Sequence, residues 1–182
     1  REGTAGIRQR LLDVAGSHVS RRQAAQGDQA RDAVGAVLAA LGGRVTPANT
    51  PEVGVLSVYK TKAGESDPVT KALPDPLNVL QWHGAEVVDV PPGGTVLVSS
   101  DVCPIQAFRY GPHAYGMQFH VEVTEETVQN WATIPEYARA LADALGPEAL
   151  PGFDSQVTAE LPRFNQNARM LYDRLKEVWT KA

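Results

Sequence analysis

Hydrophobic and polar positions change rhythm twice along this chain. Up to Gly43 the apolar residues recur at helical intervals. Val34, Val37, Leu38 and Leu41 fall at i, i+3, i+4 and i+7, Asp28 can cap the helix they imply, and Gly42-Gly43 supplies its stop. Ile7, Leu11, Leu12 and Val14 fit a shorter helix upstream, and nothing before Gly43 alternates as a strand would. The middle of the chain does alternate. It predicts strands over Gly54–Thr61, Asn78–His83, Val87–Val90, Thr95–Ser99, Ile105–Tyr110 and Tyr115–His120, with a short helix near Asp67–Leu73. Turn residues punctuate this run at Asp75-Pro76, Pro91-Pro92-Gly93-Gly94 and Tyr110-Gly111-Pro112. Helical spacing returns in the tail, with helices expected over Glu125–Trp131, Pro135–Leu145 and Ser155–Thr180. Leu161, Phe164, Ala168, Leu171, Leu175 and Val178 line the apolar stripe of the last one, and Pro162 is read near its start, where proline costs little.

Composition sharpens the first boundary. Residues 1 to 58 hold no Phe, Trp, Tyr or Lys, and the first aromatic is Tyr59. The 182 residues are 43% hydrophobic and 21% charged, enough for one domain with a buried core. A net charge of −4 gives nucleic acid no electrostatic reason to bind. No apolar run approaches the roughly 20 residues that span a bilayer, and the first ten residues lack the apolar centre of a secretory signal. The single cysteine, Cys103, excludes an internal disulfide and suits a reducing cytoplasm. The four histidines lack zinc-ligand spacing with Cys or Asp, so no metal is expected, and the pattern asks for no cofactor.

The chemistry concentrates in Gly116-Met117-Gln118-Phe119-His120-Val121-Glu122, where an alternating strand ends in an imidazole and a carboxylate follows two residues later. A carboxylate beside an imidazole fixes its tautomer and stabilises the protonated ring, so such a histidine can take a proton from a nucleophile and pass it to a leaving amine. The spacing alone fits equally a histidine that ends a strand and a glutamate that opens the next helix.

The stretch resembles the G-x-Q-F-H-P-E motif of class I glutamine amidotransferases, and more of the chain agrees with their GMP-synthase-like branch. Leu80-Gln81-Trp82-His83-Gly84 is similar to Q-W-H-G-[DE], and Ser99–Phe108 to S-S-x-x-x-P-x-Q-A-F. Leu41–Val45 is similar to A-L-G-G-x-V, and Glu52-Val53-Gly54 to E-[IV]-G. The resemblance implies an α/β fold: a partial flavodoxin-like sheet with an antiparallel extension and C-terminal helices, over residues 35–182, behind an atypical helical or disordered segment over 1–34. It implies glutamine as substrate, hydrolysed to glutamate and ammonia, with His120 and Glu122 as catalytic partners and His83 and Gly84 beside the glutamine pocket. It also implies a synthetase or acceptor subunit as partner.

Two departures matter. Val121 stands where the family has proline, which keeps the spacing. The family's nucleophilic cysteine sits in a G-x-C-x-G elbow about ten residues before the Gly-Gly pair, but counting back from Gly42 reaches Arg31, with no cysteine or glycine pattern around it. The G-G-P-type oxyanion loop is also absent, the only Gly-Gly pairs being 42–43 and 93–94. Cys103 lies in a turn before Pro104 between two predicted strands, which suits a loop residue and not a nucleophile. The chain is therefore expected to be inactive by itself. The alternative is a pseudo-amidotransferase module binding a partner or small molecule through the old pocket. A sheet without its central strands would expose apolar surface, which implies marginal stability or a homodimer.

Overall fold

The computed structural model describes residues 38–180. The segment expected over 1–34, most of the Asp28-capped helix and His18 lie outside them. The end of that helix at 38–40 is described, and it stops at the two glycines: Gly42, at φ 88°, donates to the Ala39 carbonyl and Gly43 to the Leu38 carbonyl.

In chain order the elements are β1 (Arg44–Lys60), α1 (Lys62–Ser66), a 3-10 turn (Thr70–Ala72), β2 (Leu77–Asp89), β3 (Thr95–Ser99), β4 (Ala107–Tyr110), β5 (Ala114–Met117), α2 (Thr127–Ala132), α3 (Pro135–Leu145) and α4 (Leu150–Thr180). The strands form one antiparallel sheet in the order β2-β1-β3-β4-β5. β1 pairs with β2 from Arg44 to Val58 and then gives Tyr59 and Lys60 to β3, so one strand serves two ladders and the sheet bends there. The bend brings the far edge back. Beyond β5, His120 forms an antiparallel bridge with Leu80 of β2, with both backbone bonds at 2.9 Å. The sheet is thus curled into a half-barrel, and His120 sits on its seam.

Alternation along β2 sorts its residues. Leu77 and Val79 point into one core with Val58, Leu97, Val98, Phe119 and Val121, under Leu171 and Leu175 of α4. Leu80 and Trp82 point into another with Val53, Val123 and Val128, under Phe153, Val157, Leu161 and Phe164. One long helix therefore closes both cores, and each fully buried Leu or Phe contributes roughly 1.5–3 kcal/mol. Close packing demands glycine at positions 64 and 116 among others. A Cβ on Gly64 would lie 2.0 Å from the Leu97 carbonyl oxygen, and one on Gly116 would lie 2.5 Å from the Phe108 ring.

The mixed α/β class, the antiparallel section and the C-terminal helices agree with expectation, and several boundaries move. β1 starts at Arg44, ten residues before Gly54, because its ladder absorbs Pro47 and Pro51 at a register shift between Pro47 and Glu52. β2 is continuous across Gly84, since Ala85, Glu86 and Val87 keep pairing with Pro47, Thr46 and Val45. The helix expected near Asp67–Leu73 is only the 3-10 turn, because the Asp67 carboxylate accepts from the N–H of Val69 and Thr70. α4 begins at Leu150, so Pro162 lies inside it and not near its start. There the proline removes one backbone donor, and the buried stripe on either side holds the helix together.

Candidate catalytic dyad and glutamine pocket

The Leu80 bridge fixes the His120 backbone, Phe119 and Val121 are buried on either side of it, and the Trp131 ring of α2 stands edge-on to the imidazole at 4.9 Å. Trp131 itself packs on Trp82 and Tyr137, which ties the dyad to the docking of α2 and α3. His120 Nδ1 lies 2.6 Å from Glu122 Oε1, while Glu122 Oε2 accepts the Val121 N–H at 3.0 Å. Val121 in place of proline thus contributes a donor that proline could not.

Burial opposes ionisation of Glu122. The His120 charge, the hydrogen bond from its ring and the N–H groups of Glu122 and Val121 together outweigh burial, and the carboxyl is held below its ordinary value of 4.5. An ionised carboxylate only accepts, so the Nδ1 hydrogen belongs to the histidine, and in its neutral form the ring would present a lone pair at Nε2. Among the described residues nothing hydrogen-bonds that Nε2. The pair has the form of a general base with its orienter.

Cys103 is 2% exposed, and its thiol donates to the Ile105 carbonyl at 3.7 Å and accepts from Gln118 Nε2 at 3.4 Å. Burial, helped by the Glu52 and Glu86 carboxylates, pushes the thiol up to about 11 from 9.0. His83 Nδ1 lies 3.0 Å from the Ala85 carbonyl oxygen and its Nε2 3.4 Å from Glu52 Oε2, outside hydrogen-bond geometry. Burial lowers the His83 ring below 6.5, and His120 lowers it further, while Glu52, the Ala85 carbonyl and Glu86 oppose them. Gly84 beside it is exposed, with open space where a side chain would stand. His113 is exposed in the β4–β5 turn. Among the described residues no cluster of His, Cys, Asp or Glu could hold a metal.

The groups packed beneath His83 have no role in the residue pattern. Glu52, 4% exposed, accepts from Ser100 Oγ at 2.9 Å and from Gln106 Nε2 at 2.6 Å. Glu52 and Gln106 belong to blocks of the family resemblance, but only the β1–β2 register and the 100–106 loop bring them together.

The glutamine amidotransferase class-I family model matches residues 35–131, a span that carries the dyad, His83 and Gly84. The chain belongs to the class I glutamine amidotransferases. Over 107 residues it is 36% identical to the glutamine amidotransferase-like protein YfeJ of Salmonella typhimurium, covering 59% of this chain and 44% of that one. Over 127 residues it is 32% identical to the glutamine-hydrolysing GMP synthase of Bordetella avium, covering 66% of this chain and 24% of that one. A glutamine amidotransferase crystal structure from Thermotoga maritima superposes with a TM-score of 0.63 at 28% identity, over 76% of this chain and 57% of that one. The chain therefore spans less than half the length of these two curated relatives. Among the described residues no helix is long and apolar enough to cross a membrane.

Proposed function

We propose that this amidotransferase chain carries the proton-relay half of a glutamine-hydrolysing site and that, by itself, it does not turn glutamine over. The observation that carries this reading is the His120–Glu122 pair at 2.6 Å with Nε2 left as a base, in a chain whose one thiol is buried and pushed up to about 11. In such a site His120 would take the proton of an attacking thiol and return it to the departing ammonia, with Glu122 holding the imidazolium. The family resemblance puts the glutamine carboxamide beside His83 and Gly84, and Gly84 is exposed there. The sulfur and the oxyanion donors would have to come from outside these 182 residues, and a synthetase or transferase would consume the ammonia in the cytoplasm. The test is a glutaminase assay on the purified chain, with and without a partner chain that presents a G-x-C-x-G segment. Turnover with that partner and none without it supports the reading. Turnover by the chain alone that disappears on Cys103→Ser overturns it.

A second reading is a non-catalytic module that binds a partner or small molecule. It is favoured by an apolar cavity of about 310 Å³ between β5 and α4, lined by Tyr115, Met117, Phe119, Leu171 and Leu175, with Glu122 at its wall.

A further inference from the structure

Glu122 can orient the His120 imidazole only while that ring stays still, and the ring's own bonds do not keep it so. The torsion that turns an imidazole against its Cβ is broad, with no sharp staggered minimum. The bridge to Leu80 holds the main chain of His120 and stops there. The Nδ1–Oε1 bond at 2.6 Å holds one edge of the ring, but the Glu122 side chain is 32% exposed, so water competes for its oxygens. A half turn of the ring would put a carbon where Nδ1 stands and leave Glu122 without that donor.

Against the ring stands Trp131. Its indole crosses the imidazole at 73° with the ring centres 4.9 Å apart, a separation at which aromatic rings so inclined attract. The indole is itself held. Trp82 lies 5.8 Å from it at 67° and Tyr137 5.7 Å from it at 46°. Trp82 is pinned in turn, since its Nε1–H donates to the Tyr137 carbonyl at 3.1 Å and the Phe153 ring lies 5.1 Å away. Helix α2 sets Trp131 one turn after Val128, which is buried in the same core. The start of α2 is stitched to the segment that carries the dyad: the Thr124 N–H donates to Thr127 Oγ1 at 2.9 Å, and the Thr127 N–H donates to the Thr124 carbonyl at 3.1 Å. Two routes therefore lead from β2 to His120. Leu80 fixes its main chain, and Trp82, on the same face two residues later, backs the indole that meets its ring.

We propose that Trp131 is a positioning residue: it blocks rotation of the His120 ring, so that Nδ1 stays on Glu122 and Nε2 stays free for a proton in transit. This rests on the reading of His120 as a proton carrier and adds to it a residue that acts through His120.

The test is the exchange of the His120 Nδ1 hydrogen with water, read from ¹H–¹⁵N ring spectra of the full 182-residue chain at neutral pH. Wild type is expected to show a downfield, slowly exchanging Nδ1–H and Overhauser contacts between the His120 ring and the Trp131 indole. Trp131→Leu keeps an apolar side chain but no ring, and the exchange is expected to rise by up to about tenfold, the worth of one aromatic pair. Trp131→Phe restores a ring and is expected to bring the rate back toward wild type. Phe153→Leu loosens the same aromatic cluster behind Trp82 and is expected to leave the rate unchanged. An unchanged rate in a folded Trp131→Leu chain overturns the proposal, as does a Trp131→Phe chain no slower than Trp131→Leu. An equal rise in Phe153→Leu also overturns it, because the effect would then be one of general packing. Absence of contacts between the two rings in wild type overturns it without any variant, which keeps it falsifiable if Trp131→Leu does not fold. Ammonia release from L-glutamine with a G-x-C-x-G partner is read separately. If the exchange pattern holds but no partner gives turnover, the positioning role stands and the glutamine reading fails.

Discussion

Cys103 decides whether this chain carries its own nucleophile, and its reactivity can be forecast from its surroundings. The perturbation is a thiol–disulfide reagent added to the native chain at pH 8, against the same chain in denaturant. With the native thiol at about 11 and the ordinary value at 9.0, the difference of 2 units means about a hundredfold less thiolate at any pH below both. The more basic thiolate is the better nucleophile, and a Brønsted slope of ~0.5 returns about tenfold of that, leaving roughly a tenfold slowing from ionisation alone. Access adds to it. Cys103 is 2% exposed beneath Gln118, so the reagent reaches Sγ only when the 100–106 loop opens. The native reaction should therefore run more than tenfold slower than the unfolded one, followed by absorbance of the released thiolate. A native rate equal to or above the unfolded rate would mean an accessible, acidified sulfur and would refute this reasoning.

Three further outcomes follow from the packing and the charges. Phe164→Ala should cost about 3–5 kcal/mol in urea unfolding, because Phe164 is fully buried where α4 meets the Trp82 core; a loss under ~1 kcal/mol would show the helix docks elsewhere. The folded state raises Cys103 from 9.0 to about 11 and Tyr115 from 10.0 to about 12, mainly through burial. The unfolded chain then releases these protons first, and stability should decline as pH rises from 9 to 12, with Cys103→Ser removing the lower part of that decline. Glu122 titrates below 4.5 in the folded state, so its contribution is present above that value and is lost as pH falls through the lower folded one; Glu122→Gln should flatten this acid limb, and an unchanged limb would mean the ion pair does not form in solution.

Much of this was legible in the residues. Alternation located β3 and the strands around Phe108 and Tyr115, the stripe from Leu161 to Leu175 located the face of α4, and the H-x-E spacing located the dyad. What escaped depends on pairing between distant segments. Gly84 looks like a strand break, yet β2 runs through it because β1 supplies partners on both sides. Pro162 looks like a helix start, yet contacts of Phe153 and Val157 extend α4 upstream of it. The Glu52 clamp spans 48 residues to Ser100 and 54 to Gln106, and the local pattern gives no sign of it. The return of His120 to Leu80 is also long-range, and it seats the H-x-E pair on the seam of the sheet.

As proposed, His120 and Glu122 relay a proton with no sulfur of the chain's own to serve. Ammonia release from L-glutamine by the purified 182-residue chain, measured beside Cys103→Ser and His120→Ala, tests it most directly. No release above the uncatalysed background is expected from any of the three. Release by the unmodified chain that both substitutions abolish would contradict it.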